Sequence, residues 1–477
     1  MKICVYAFST SVLFFRDFIA ACDLAGDDVE WSAIVPQGHF RHEIRTVLPL
    51  DRICYLYEGF SARHACIGPA EIQHAQESGE GLFASLMKDK DGYRKLPKED
   101  QLKRAATIHA CYEEFLRRVQ PDYVLFPDLE VVDGFILLNL CRSLGIKVIY
   151  FTGMRFLGAS FFAMDSTEAL PPYFGRYDEQ NLLAARTVIE RFRSRHGLAA
   201  GANYASCPPP KLGLFSRIVF NTYLFWRYER LHATEDDIVL KIKRNLIGLT
   251  NGFRRMRFNA LAKRFFDAVA FEKLPNKYVF YALHYIPESS INGLEPYFVD
   301  QLRAVDALLL NMPRGHWLVV KEHPAMYGVR SFDFYRELCR RPGLILLHPS
   351  MDSRRLVEGA ALVVTITGTI GLEAYLLGKP CLSFGRNFFA HLCQPAPALS
   401  ALRETMERLI ASYVPASEAE KEIAIAKLLN IGADFIISDP WFSPSVLAPE
   451  NIATAREHLW KHLDCLSKVQ NPPAASV

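Results

Sequence analysis

The sequence predicts an α/β fold with two Rossmann-like domains and a helical, basic insertion in the N-terminal half. The chain has 477 residues, which is too long for one hydrophobic core. Short apolar runs alternate with amphipathic segments early and again late in the chain, the pattern of parallel sheets covered by helices. Between these regions lies a stretch of helical pattern that is rich in aromatic and basic residues.

The predicted first domain comprises residues 1–272. Its strand candidates are the runs KICVYAF, VEWSAIVP, DYVLFPD and KVIYFTG. The opening run resembles a signal peptide because IAAC follows it, but Arg16 and Asp17 interrupt the apolar stretch. We therefore expect a strand and a helix here, not a cleaved leader.

Residues 165–272 form the predicted helical segment of this domain. Between residues 240 and 266 the chain has eight lysines or arginines and no acidic residue, and Phe253, Phe258, Phe265 and Phe266 are interleaved with them. This composition predicts either a peripheral contact with an anionic inner-membrane face or an ordinary covering helix. Buried and lipid-facing aromatic residues look the same in a sequence, so both interpretations stay open.

The predicted second domain comprises residues 273–445. Its strand candidates are KYVFYALHY, GHWLVVKEHP, GLILLHP, ALVVTIT and PCLSFG, again separated by helical patterns. Residues 446–477 read as one amphipathic helix followed by a polar tail.

Composition excludes several classes of function. The net charge of +3 does not suggest a nucleic-acid-binding protein. The 11 cysteines include no Cys-x-x-Cys pair, which favours a reducing cytoplasm over a disulfide or zinc framework. The sequence Asp-Lys-Asp at residues 89–91 has the form of a metal-binding Asp-x-Asp motif. It follows no apolar strand, so it is typical of a solvated loop. We expect a cytoplasmic protein, on its own or associated with the membrane, with no metal ion and no cofactor.

Polar residues follow the predicted strands of the second domain, where ligands bind in open α/β sheets. His284 and Glu288 follow the first of these strands. Lys321, Glu322, His323 and Pro324 follow the next strand, where the proline favours extended backbone at His323. Lys321 and His323 would face one side and suit a phosphate, whereas Glu322 would face the other and suit a ribose hydroxyl or a lysine.

A threonine loop follows the strand ALVVTIT. Thr365, Thr367 and Thr369 surround Gly368, and a helix is predicted to begin near Ile370. Glycine lets the backbone approach an anion, and threonine adds hydroxyl donors. Glu373 lies one residue too late for a capping box, so we expect it to face a ribose. These three clusters together predict a nucleotide site.

The residues ALHYIPESS, VVKEHP and TITGTIGLEAYLLGKPCLSFG, in this order, resemble bacterial capsule and surface-polysaccharide biosynthesis proteins. These are glycosyltransferase-like chains of the GT-B fold, in particular the group that includes Kdo transferases and bacterial sialyltransferases. The resemblance covers residues 280–390 well. It implies that His323 and Pro324 take the His-Pro role, that Thr367, Gly368 and Thr369 form the hydroxyl loop, and that Glu373 binds ribose.

The resemblance implies a transferase that moves a sugar from a nucleotide-activated donor, with CMP-Kdo or a similar CMP-sugar favoured. Lys321, His323 and the loop Thr367–Thr369 could stabilise the leaving group, so we expect the transferase to be metal-independent. The acceptor would be a growing capsular, O-antigen or lipopolysaccharide glycan, free or lipid-linked, bound by the first domain. Residues considered for the catalytic base or nucleophile are Asp128, Glu130, Arg155, Asp165, Glu288 and His284. The alternatives are a nucleotide-sugar epimerase of the same architecture and a catalytically silent subunit of a polysaccharide assembly complex.

Overall fold

The structure, a computed structural model, describes most of the chain. The described residues are 1–196, 264–266 and 271–470, apart from short breaks at 9, 37–41, 57, 59, 89–95, 128, 130, 155–158, 167, 287–290, 292, 328, 438–439 and 441–442. They divide into two compact units. The first contains residues 1–196 and 422–470, and the second contains residues 264–266 and 271–421.

The first unit is built on a six-stranded sheet with the order β3-β2-β1-β4-β5-β6. All neighbouring strands are parallel except β5 and β6, which are antiparallel. The strands are β1 (Lys2–Tyr6), β2 (Glu30–Val35), β3 (Ile53–Tyr55), β4 (Tyr123–Phe126), β5 (Lys147–Gly153) and β6 (Ser160–Ala163). The four predicted strands are present, and β3 and β6 are additional edge strands.

Helices cover this sheet because their apolar residues recur at helical spacing and become buried against it. On α1, for example, Phe14, Phe15 and Phe18 are fully buried and pack with Phe151 of β5. The helices are α1 (Ser11–Leu24), α2 (Phe60–Cys66), α3 (Pro69–Gln76), α4 (Gly81–Lys88), α5 (Lys98–Val119), α6 (Val132–Ser143) and α7 (Glu179–Arg191).

The C-terminal part of the chain completes the core of the first unit. Helix α14 (Pro449–Gln470) is fixed to the end of α1 because Arg456 donates hydrogen bonds to both carboxylate oxygens of Asp27, at 2.5 and 2.6 Å. Phe435 stacks on Phe162 of β6, with ring centroids 5.5 Å apart. The chain therefore returns from the second unit to the first at residue 422, whereas the sequence pattern predicted that the second domain ends at residue 445.

The second unit contains another six-stranded sheet, with the order β12-β11-β10-β7-β8-β9. All of its neighbouring strands are parallel. The strands are β7 (Tyr278–Ala282), β8 (Trp317–Lys321), β9 (Leu344–Leu347), β10 (Leu362–Thr365), β11 (Cys381–Ser383) and β12 (Gln394–Pro395). The first five match the predicted strands.

Apolar side chains of both sheet faces are buried, as expected of a parallel sheet between two helical layers. One core contains Val279, Val320 and Val364, and the other contains Phe280, Val319 and Val363. The helices are α8 (Leu302–Leu310), α9 (Phe332–Cys339), α10 (Ser353–Gly359), α11 (Ile370–Leu376) and α12 (Leu402–Ser412); α13 (Glu418–Asn430) leads back into the first unit.

These observations confirm the predicted fold class of two mostly parallel sheets with helices. Most of the basic segment, including Phe253 and Phe258, lies outside the described residues. Its last two aromatic residues are described, and both contact Tyr335 of α9 with centroid distances of 5.7 and 5.6 Å. Phe265 and Phe266 therefore pack on the second unit, as a covering segment would. In the described part of the chain, no helix is long and apolar enough to cross a bilayer.

We predict that the first unit loses stability in mild acid because of two histidines on α14. Burial lowers the pKa of His458 to about 4 and that of His462 to about 3, so both stay neutral when folded. The unfolded chain takes up protons near pH 6.5, so their contribution is present above that pH and is lost as the pH falls toward 4. Between pH 7 and pH 5 each histidine should remove about 2 kcal/mol from the free energy of unfolding.

Urea unfolding of the wild-type protein, His462→Gln and His316→Gln at both pH values measures this effect. His462→Gln should flatten the pH dependence, whereas the control His316→Gln, at a hydrogen-bonded turn of the second unit, should not. An unchanged pH dependence in His462→Gln would refute the assignment.

Candidate functional site

The polar residues predicted from the sequence lie at one edge of the second sheet, because the carboxyl ends of parallel strands meet there. Strand order runs through β7, β8 and β9 in one direction and through β10, β11 and β12 in the other. The neighbouring strands β7 and β10 therefore form the topological switch point, where a crevice opens in folds of this kind. The residues that follow these two strands are those of the His284 segment and the threonine loop.

His284 and Thr365 hold the threonine loop. The Thr365 hydroxyl lies 3.2 Å from Nε2 of His284 and accepts a hydrogen bond from the backbone N–H of Gly368 at 2.9 Å. Nε2 of His284 also accepts from the backbone N–H of Thr367 at 3.3 Å. These bonds place the ring proton on the other nitrogen, Nδ1. His284 thus shapes the loop, and its predicted catalytic role stays a prediction.

Gly368 is required by close packing in this loop. A Cβ atom at this position would lie 3.0 Å from Nε2 of His284 and 3.0 Å from the Thr365 hydroxyl. Thr365 and Thr367 are fully buried, whereas Gly368 and Thr369 are partly exposed. The loop therefore presents Gly368 and Thr369 to the surface and uses the other two threonines for support.

Helix α11 starts directly after the loop and is only seven residues long. Thr369 occupies the position before the helix and makes no side-chain capping hydrogen bond. The helix ends at Leu376, two residues before Gly378, which has φ of +69°, and the Lys379 N–H donates to the carbonyl oxygen of Ala374 at 2.8 Å. A helix this short contributes a small dipole, so side chains must supply most of the charge of the site.

Glu322 is buried and satisfied from within the chain. One carboxylate oxygen accepts hydrogen bonds from Nε of Arg330 at 2.9 Å and from the Tyr335 hydroxyl at 2.7 Å. The other accepts a hydrogen bond from the backbone N–H of His323. From the sequence we expected Glu322 to face the side of the strand opposite to Lys321 and His323, and these contacts agree with that expectation. They give Glu322 a structural role at the end of β8 instead of a role at a ribose.

Arg330 connects the ends of two strands. Besides pairing with Glu322, its guanidinium donates to the carbonyl oxygen of His284. Gln301 adds two more hydrogen bonds to the His284 backbone, accepting from its N–H at 2.9 Å and donating to its carbonyl at 3.1 Å. The backbone positions of His284 and His323 therefore depend on the same buried network.

A cluster of charged groups lies beside this network. Lys321 is buried and its ammonium group donates to the Ser353 hydroxyl at 2.5 Å. Burial lowers the pKa of Lys321, and the charges of Asp352 and Glu373 oppose that effect. Burial raises the pKa of Glu373 to about 7, although Lys321 and Arg354 favour its charged form. Burial therefore brings the pKa of Glu373 into the neutral range, beside the positively charged groups Lys321 and Arg354.

His323 is held in one orientation by the turn that follows it. Its Nδ1 accepts a hydrogen bond from the backbone N–H of Ala325 at 3.2 Å, next to Pro324. Burial lowers the pKa of His323, and the charges of Arg330 and Lys321 lower it further. A neutral ring that accepts at Nδ1 carries its proton at Nε2. His323 is thus arranged as a hydrogen-bond donor to an anion.

Several catalytic candidates cannot be placed. Asp128, Glu130, Arg155 and Glu288 lie outside the described residues. Asp165 is described, and its carboxylate accepts a hydrogen bond from the Ala169 backbone at 3.1 Å, as a loop-capping residue does. The roles of the first four residues stay predictions.

Sequence reasoning missed the residues that support the site. Arg330, Tyr335, Gln301 and Ser353 are separated from their partners by 8 to 46 positions. A single sequence holds no signal for such pairs, because neither periodicity nor motif spacing joins them. Asp352 could have been found as a helix N-cap, since its carboxylate accepts from the Arg354 N–H at 2.9 Å at the start of α10.

Comparison with known proteins adds one result on sequence. Residues 270–393, which include the strand ends described above, match the profile of the family described as "Capsule polysaccharide biosynthesis protein". This match confirms, for that segment, the resemblance stated from the sequence. No curated protein matches the chain.

Solved structures that resemble the chain include UDP-GlcNAc 2-epimerase from Methanocaldococcus jannaschii, at 12% identity over 90% of this chain and 99% of that chain, with a TM-score of 0.25. KpsC beta Kdo 2,7 transferase from Thermosulfurimonas dismutans is 14% identical over 74% and 89% of the two chains, with a TM-score of 0.35. The beta Kdo 2,4 transferase of the same KpsC is 13% identical over 64% and 78%, with a TM-score of 0.33. Likenesses this distant carry no argument about activity.

We predict that Glu322→Gln destabilises the second unit by about 3 to 5 kcal/mol, because it leaves the buried charge of Arg330 without its partner. Urea unfolding measures the loss. The control is Asp333→Asn, which breaks an exposed carboxylate pair with Arg336 and should cost less than about 1 kcal/mol. Equal effects of the two substitutions would contradict the role assigned to Glu322.

Proposed function

We propose that this protein is a glycosyltransferase of capsule polysaccharide biosynthesis that transfers a sugar from a nucleotide-activated donor to a glycan hydroxyl. The observation that carries the proposal is that Lys321 and His323, at the end of β8, lie at the same edge of the second sheet as the threonine loop at the end of β10, with only β7 between the two strands. The match of residues 270–393 to capsule biosynthesis proteins supports it. A CMP-sugar such as CMP-Kdo is the favoured donor, on the strength of the His-Pro pair.

The nucleotide phosphate would bind between the end of β8 and the threonine loop. Lys321 would contribute positive charge, and Nε2–H of His323 would donate a hydrogen bond. Gly368 and Thr369 reach the surface of the loop, so they can approach a phosphate oxygen directly. Thr365 and Thr367, which are buried, would keep the loop in place.

Glu373 would recognise the ribose. With a pKa of about 7, its carboxyl group can accept a hydrogen bond from a hydroxyl when ionised and donate one when protonated. The nearby charge of Lys321 favours the ionised form. The two residues would thus read neighbouring parts of one nucleotide, its phosphate and its sugar.

Departure of the nucleotide leaving group develops negative charge on its phosphate oxygens. Groups that already point at that position stabilise the charge without reorganising, which is worth about 3 to 4 kcal/mol for a well-placed donor. Lys321 is positioned by Ser353, and His323 is positioned by Ala325 and by the Glu322 network. We propose that these two residues perform this step and that it needs no metal ion.

The acceptor hydroxyl needs a base, or the donor sugar needs a nucleophile, depending on stereochemistry. Asp128, Glu130 and Glu288 remain the proposed carboxylates for this step, and His284 the proposed imidazole. The acceptor would be a capsular or related surface glycan, free or lipid-linked. A lipid-linked acceptor would suit a protein at the cytoplasmic face of the inner membrane, with the part of residues 240–266 that precedes Phe265 as the contact.

We predict that CMP binds to the purified protein without added metal and that His323→Ala weakens this binding by about 10- to 100-fold. The loss follows from removing a hydrogen bond to a charged group. Isothermal titration calorimetry with CMP, UDP, GDP and dTDP measures the affinities. Lys321→Met should have an effect of similar size.

The matched control is His316→Ala. His316 directly precedes β8, whereas His323 follows the other end of that strand. It should bind CMP like the wild-type protein. Preference for UDP or dTDP would change the donor class and keep the site. Failure of all four nucleotides to bind would reject the enzyme and favour the silent subunit.

We also predict that CMP release from a CMP-sugar requires a glycan acceptor and does not increase when Mg²⁺ or Mn²⁺ is added. Release is followed by chromatography, and the sugar product is followed by mass spectrometry. The site residues stabilise the leaving group without a cation, so Lys321→Met should lower the turnover number. Conversion of a donor sugar to its epimer without acceptor would overturn the transferase in favour of an epimerase.

A further inference from the structure

Two helices of the first unit bring together three groups that can bind a metal ion. His74 lies near the end of α3, and His109 and Glu113 are one turn apart on α5. Residues four positions apart share one face of a helix. One ring nitrogen of each histidine and one carboxylate oxygen of Glu113 all lie within 4.8 Å of one another.

The distances suit a small tetrahedral ion. Oε2 of Glu113 lies 2.9 Å from Nε2 of His74 and 3.8 Å from Nδ1 of His109. Bonds of about 2.0 to 2.2 Å to a tetrahedral ion place neighbouring ligand atoms about 3.3 Å apart. The two imidazole rings stand at 89° to each other, so they approach the carboxylate from different directions. Small side-chain rotations would complete the geometry.

The buried histidine is already oriented by a second residue. Nε2 of His109 lies 2.9 Å from the Ser78 hydroxyl, and the ring is 2% exposed. When Nε2–H donates to Ser78, the lone pair of Nδ1 points toward Glu113. In the other tautomer, Nδ1–H would be 3.8 Å from the carboxylate, which is too long for a hydrogen bond. Metal-binding histidines usually donate the other ring N–H to a carboxylate, a backbone carbonyl or water, and the Ser78 hydroxyl would take that position here.

One oxygen of Glu113 is available to an ion, and solvent reaches the cluster through His74. Arg117 donates to the other oxygen of Glu113, Oε1, at 2.8 and 3.1 Å, so Oε2 is the oxygen that faces the histidines. The side chain of His74 is 59% exposed, which gives access from solvent. The positive charge of Arg117 would weaken cation binding without blocking it.

We propose that His74, His109 and Glu113 form a binding site for a first-row divalent transition metal, with Zn²⁺ as the ion that fits best. Two imidazoles and one carboxylate are a zinc donor set, whereas Mg²⁺ and Ca²⁺ prefer oxygen ligands alone. The site joins α3 to α5 in the first unit, and it is independent of the nucleotide site proposed in the second.

The test is calorimetric titration of the full-length, tag-free protein with ZnCl₂ after removal of adventitious metal with a chelator. The wild-type protein should bind one Zn²⁺ per chain at this site and should not respond to MgCl₂. His74→Gln and Glu113→Gln should each weaken that binding by at least about tenfold, because each removes one ligand. Both residues are on or near the surface, so the variants should fold, as circular dichroism can verify.

His64→Gln is the matched control. His64 also contacts α5, through the Thr107 hydroxyl at 2.9 Å, but it is not part of the cluster. It should bind Zn²⁺ like the wild-type protein. Replacing Zn²⁺ with Co²⁺ should give a visible absorption band that is lost in His74→Gln. Absence of Zn²⁺ binding, or binding that His74→Gln and Glu113→Gln leave unchanged, would overturn the proposal and leave an ordinary His–Glu ion pair.

Discussion

The ion pair between Glu322 and Arg330 is the interaction on which the candidate site depends. Both side chains are buried, at 0% and 5% exposure, and each makes further hydrogen bonds. Glu322 fixes the backbone of His323, and Arg330 fixes the backbone of His284. A buried pair of charges gains little stability over apolar residues of similar size, because desolvation offsets the attraction. Its value here is geometric, since one pair sets the positions of two histidines on neighbouring strands.

The sequence revealed the strands and the residues at their ends, because both depend on local pattern. Apolar runs such as WLVV predict a buried strand, and the next residues, Lys321 to His323, must then lie at its carboxyl end. It could not reveal that Glu322 pairs with Arg330 or that Thr365 contacts His284 across 81 positions. Such contacts depend on strand order in the sheet, which periodicity does not determine. The short edge strands β3, β6 and β12 were missed because few residues carry their pattern.

The same limit applies to the metal site proposed in the first unit. The local metal signals of the sequence are cysteine spacing and the Asp-Lys-Asp stretch at residues 89–91; the cysteines hold no pair at zinc-binding distance along the chain, and the stretch follows no apolar strand. His74 and Glu113 are separated by 39 positions, and only the packing of α3 on α5 brings them together. The local signal of this site in the sequence is the spacing of His109 and Glu113, which lie four positions apart on one helix. Taken alone it is weak, because ordinary ion pairs use the same spacing.

The two sheets share a strand order, so each has a switch point, but their residues differ there. In the first sheet, a Cβ at Gly134 would lie 2.8 Å from Leu129 and 3.2 Å from the Tyr6 hydroxyl. Among the described residues, an apolar and an aromatic side chain therefore pack closely around Gly134. In the second sheet, Gly368 makes the equivalent close approach to His284 and Thr365, which are polar. Topology places a crevice in both sheets, and fold alone assigns no function to either. We therefore propose the second unit for the donor nucleotide because of the chemistry of its residues: a buried lysine, a histidine whose pKa is lowered by burial, and a glutamate whose pKa is raised to about 7.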